Sequence, residues 1–101
     1  MTEFPFVFNG IKYRFMVCGP EHFTNHHDIF GCFTTDPAMV KISNTAARDQ
    51  QSLTALHELI EVVNSVNELE MEHATISCLS EQLYGMLATN KKLLRFVFPV
   101  E

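Results

Sequence analysis

The chain has 101 residues, enough for one domain spanning 1–101 and too few for two. Twelve acidic residues against seven Lys and Arg leave a net charge of −5, which argues against a nucleic-acid-binding surface. The 47% hydrophobic content and nine phenylalanines suffice for a core, and no apolar run approaches the roughly 18 residues of a membrane span.

The elements follow in order. Phe4–Phe8 and Ile11–Val17 flank Asn9-Gly10, a dipeptide whose tolerance of positive φ makes it the strongest short hairpin signal. Ile11, Tyr13, Phe15 and Val17 alternate with Lys12 and Arg14, as a half-buried strand does. Pro5 places the first strand at a sheet edge. Residues 18–29 read as a loop holding His22, His26 and His27. A short strand over Phe30–Phe33, a turn at Asp36-Pro37 and a strand over Met39–Ile42 come next.

From about Ala47 to Val66 the spacing turns helical, with Leu53, Leu56, Leu59, Ile60 and Val63 as the apolar stripe. His57, Glu58, Glu61 and Ser65 fall mostly on the other side. A second helix is expected over about 72–89, with Ile76, Leu79, Leu83, Met86 and Leu87 as its apolar face and Asn90 at its C-cap. Leu94–Phe98 reads as a last strand, and the phenylalanines at 4, 6, 8, 96 and 98 as sheet core. An exposed subset of them would instead form an interface. Strands first and helices second give an α+β fold.

Cys18, Cys32 and Cys78 are odd in number and lack a CxxC spacing. Free, buried, inert thiols in a reducing compartment are expected. The N-terminus shows neither the basic region nor the apolar run of a signal peptide, so a cytoplasmic location is expected.

The chemistry concentrates on the first helix. Residues i and i+4 project side by side, so His57 and Glu61 can reach one cation. Imidazole nitrogen and carboxylate oxygen both bind zinc. Glu58, one residue on, is turned aside from that pair, where it would accept a proton from a water activated there. This is the logic of the HExxH helix with Glu in place of the second His. A catalytic zinc site takes three protein ligands and keeps one position open. His73, which opens the second helix, is the best third ligand, because an antiparallel helix pair returns its first turn toward the first helix. Glu81 is the alternative. An oxyanion donor would come from Tyr84, His22, His26 or His27, among which the sequence does not choose.

The segment Thr54-Ala55-Leu56-His57-Glu58-Leu59-Ile60-Glu61-Val62-Val63-Asn64 resembles the active-site helix of small zincin-like metallopeptidases related to the ImmA/IrrE group, many of them encoded by phages and prophages. His73 through Tyr84 resembles that family's second helix, which supplies the third ligand. Gly31–Ser43 resembles its edge strand. The similarity covers roughly residues 30–90. It implies a minimal zincin-like domain in which a small antiparallel or mixed sheet packs against both helices. It implies one zinc per chain on His57, Glu61 and His73, with Glu58 as general base. It also implies a protein or peptide substrate laid along the Met39–Ile42 strand edge. The compartment would then be the host bacterial cytoplasm. The Glu at 61 departs from the family's second His, yet two His and one Glu remain a known catalytic ligand set.

Other classes stay open. A non-enzymatic phage protein with this fold would bind or inhibit a host protein, any metal serving as a structural staple. A metal-free interaction module would carry His57, Glu58 and Glu61 only as the wet face of an amphipathic helix. The three loop histidines would then be ordinary surface residues. Glu58 mildly favours chemistry, since a structural site has no use for a base. The sequence does not set the oligomeric state.

Overall fold

A computed structural model describes residues 2–23 and 30–99. The expectations for His26 and His27 lie outside them. The fold is α+β: strands β1 (Thr2–Phe8), β2 (Ile11–Cys18), β3 (Gly31–Thr35) and β4 (Ala38–Ser43), then helices α1 (Arg48–Val66), α2 (His73–Thr89) and α3 (Lys91–Val97). A single 3-10 turn, Pro20–His22, follows β2.

The β1–β2 hairpin turns at Asn9 and Gly10, whose φ angles of 50° and 77° are those a two-residue type I′ connection demands. Its register sets Phe4 opposite Phe15 and Phe6 opposite Tyr13. Both pairs stack, with ring centroids 4.8 and 5.1 Å apart. Cross-strand aromatic pairs of this kind each add roughly 0.2–1 kcal/mol. The sheet order is β1-β2-β4-β3, with β2 and β4 parallel and the other two pairings antiparallel. Pro5 therefore sits on an edge strand, as expected. Met39–Ile42 does not: β4 is enclosed between β2 and β3, and among the described residues the edge strand on that side is β3.

One sheet face carries Tyr13, Val40 and Ile42, which with Val62 of α1 form the buried core; Phe6, Phe8, Phe15 and Phe33 pack around it. The helix does not present its leucines to that face. Its buried residues are Thr54, Glu58 and Val62, a row at four-residue spacing, while Leu59 and Val63 are exposed. Gly31 marks the tightest approach: a Cβ there would stand 2.7 Å from Thr54 Cγ2, 3.0 Å from the Lys41 carbonyl oxygen and 3.3 Å from Ile42 Cδ1. Gly31→Ala is expected to destabilise the chain by about 1–3 kcal/mol, the usual cost of overpacking. Urea denaturation measures this, and Thr54→Ser, which removes the clashing methyl, should recover part of the loss.

Helix α2 packs on α1, and α3 packs on α2. The expected strand over Leu94–Phe98 is instead α3 and its end. A short apolar run is compatible with either state; here it pairs with neither edge strand, β1 nor β3, and the chain resumes a helix after Asn90. Phe96 and Phe98 are consequently exposed rather than sheet core, as is Phe4. In α2 the buried residues are Ile76 and Ser80, whereas Leu79, Leu83 and Met86 of the expected apolar face are exposed. The three cysteines form no disulfide, and only Cys18 is buried. Cys32 is half-buried, and Cys78, on the outer side of α2, is exposed. Among the described residues, no helix is long and apolar enough to cross a membrane.

Candidate metal centre

A cleft of about 570 Å³ opens between β3, the middle of α1 and the first half of α2. Sequence periodicity explains what lines it. On α1, Gln50, Leu53, Thr54, His57 and Glu61 recur at three- and four-residue intervals and so share a side. On α2, His73, Ser77 and Ser80 do the same. Residues Gly31, Cys32 and Phe33 of the β3 edge close the third wall.

Three of these side chains converge. Glu61 Oε2 lies 3.8 Å from His57 Nε2 and 3.7 Å from His73 Nδ1. The three ligand atoms all fall within 4.8 Å of one another, an arrangement that could hold a metal ion. Tetrahedral bonds of about 2.0–2.2 Å set ligand atoms about 3.3–3.6 Å apart. The two Glu61 pairs stand close to that spacing, and small side-chain rotations would bring the histidines in. The imidazoles meet edge to face, with centroids 5.0 Å apart. The donor set of two imidazoles and one carboxylate is of a kind that divalent metal ions take.

His57 is prepared for this role. Its side chain is only 15% exposed. Burial pushes its pKa below 6.5, against the opposing field of the Glu61 carboxylate, with smaller opposed contributions from His73 and Glu81. A neutral imidazole is the form that binds a metal. Its far nitrogen, Nδ1, stands 3.5 Å from Ser80 Oγ, whose hydroxyl donates to the Ser77 carbonyl at 3.0 Å. In the tautomer that carries its proton on Nδ1, His57 donates to Ser80 Oγ and turns the Nε2 lone pair toward Glu61 and His73. Outer partners of this kind fix the tautomer and the ring. Ser80→Ala is expected to weaken metal affinity roughly 10-fold, as read by competition with a chromogenic chelator. An unchanged affinity would remove Ser80 from the site.

Glu58 lines the same cleft but is not part of the converging triad. It is 8% exposed, not on a wet face. Of the remaining candidates, Glu81 lines the cleft outside the triad, so His73 and not Glu81 completes the trio. Tyr84 is half-buried, one turn past Ser80, and does not line the cleft; nor does His22, whose carbonyl accepts from Lys41 Nζ at 2.9 Å. The sequence reasoning did not single out Ser77, Ser80, Thr54 or Gln50. Helical spacing from His57 and His73 was the signal that could have found them.

No family model, curated protein or solved structure matches this chain. The functional reading stands on the side chains themselves.

Proposed function

We propose that this chain is a zinc-dependent peptidase, carried by one observation: a buried carboxylate, Glu58, sits in the same cleft as a converging His57–Glu61–His73 trio. The resemblance of the His57 helix to small phage and prophage zincin-like metallopeptidases supports the same reading and suggests a bacterial host cytoplasm as the compartment. A zinc ion held there would polarise the scissile carbonyl and acidify a water.

The chain's own residues supply the rest. His57, Glu61 and His73 would hold the ion. Glu58 takes the proton of the attacking water and returns it to the leaving amine. Ser80 keeps His57 in its ligand tautomer. Among the described residues β3 is the edge strand of the sheet, and it borders the cleft, so an extended peptide would bind there by strand addition. That edge, and not Met39–Ile42, is the docking strand. Cleavage of an unbiased peptide library by zinc-loaded protein, stopped by a chelator and restored by zinc, tests the proposal. Full metal loading without any cleavage would favour the non-enzymatic alternative, in which the ion staples a protein that binds a host partner.

A further inference from the structure

The largest anomaly on the surface is the far end of the chain. Helix α3 has no buried residue, yet five of its residues and its flank are apolar: Leu93, Leu94, Phe96, Val97 and Phe98, with Phe96 85% exposed. On α2, Leu79, Leu83 and Met86 are exposed too, at 41%, 40% and 51% and at the four- and three-residue spacing of one helical stripe. Exposed apolar surface gathered on neighbouring elements marks an interaction site.

The charges around the stripe identify the occupant. Immediately before α2 stand Glu68, Glu70 and Glu72, all exposed. Immediately after it stand Lys91, Lys92 and Arg95, also exposed. In chain order the run is thus acidic, apolar, basic, centred on α2. The midpoint between the two charge clusters falls near residues 81–82, and the stripe centres near residues 82–83. A segment with this symmetry complements itself when reversed. We propose that this face is a two-fold interface between two copies of the chain, with the α2 helices antiparallel and Leu83 near the axis.

In that arrangement the acidic lead-in of each copy meets the basic α3 of the other, and stripe covers stripe. A parallel pairing would set like charges together and is disfavoured. The interface is isologous and closes on itself. At 3.6 residues per turn, Leu79, Leu83 and Met86 lie on a different side of α2 from His73, Ser77 and Ser80, so pairing leaves the cleft open.

Analytical ultracentrifugation of the full chain over a concentration series tests this. Wild type is expected at twice the chain mass, with pairing weakened but not abolished by salt, because only the charges are screened. Leu83→Glu should raise the dissociation constant on the order of 100-fold, since the axis places the substitution in the interface twice. Leu79→Glu serves as a second variant, and circular dichroism checks that each variant keeps its helices. Two charge-reversed chains, Glu68→Lys/Glu70→Lys/Glu72→Lys and Lys91→Glu/Lys92→Glu/Arg95→Glu, should each pair more weakly than wild type and recover when mixed. A monomeric wild type, including one that instead binds anionic vesicles through α3, would overturn the proposal. So would folded Leu83→Glu and Leu79→Glu chains that pair as wild type does, or reversed chains that gain nothing on mixing.

Discussion

Glu58→Gln is expected to keep the metal and lose turnover by about 10²- to 10⁴-fold, the usual contribution of a positioned general base. The substitution is nearly isosteric, and Glu58 is 8% exposed and outside the ligand trio. Gln cannot accept a proton, so it removes that one capacity without emptying the site. Parallel metal analysis and peptide cleavage separate the outcomes. Loss of metal would make Glu58 a ligand. Retained cleavage would place the base elsewhere in the cleft. Loss of cleavage with full loading is the result that assigns it.

The second large effect concerns Glu61. It is the member of the trio nearest both others, at 3.8 Å from His57 and 3.7 Å from His73. Glu61→Ala should therefore lower zinc affinity by on the order of 100-fold or more, beyond the 10- to 100-fold typical of outer-shell partners. Glu61→His should restore binding, because three histidines are also a catalytic zinc set. Isothermal titration calorimetry on chelator-stripped protein distinguishes the two. Equal affinities for wild type and Glu61→Ala would exclude Glu61 as a ligand.

How far the fold could be read from sequence depended on how local its causes were. The hairpin was legible because Asn9 and Gly10 adopt positive φ for reasons internal to the turn. The spans of α1 and α2 were legible from their helical periodicity. The last segment was not: Leu93-Leu94-Arg95-Phe96-Val97-Phe98 suits either a strand or a helix, and nothing local to it decides. The burial of Glu58 was equally hidden. Periodicity points the leucines inward, but the buried row is Thr54, Glu58 and Val62, with Thr54 set close against Gly31.

The site shows the same division. His57 and Glu61 share a helix, so their adjacency follows from the i,i+4 rule. Placing His73 beside them required an antiparallel pairing of α1 and α2, which a short connection made reasonable and the 3.7 Å contact bears out. The enclosed position of β4 depends on its parallel pairing with β2. That pairing is non-local and leaves no mark in the sequence of Met39–Ile42.

The central claim is that His57, Glu61 and His73 hold one ion between them. Elemental mass spectrometry on purified protein, wild type beside His57→Ala and His73→Ala, tests it most directly. About one zinc per chain in wild type, the stoichiometry of a single three-ligand site, and loss of it in both variants is the predicted result. A wild type that stays free of metal after zinc is supplied, or variants that load as fully as wild type, would contradict it.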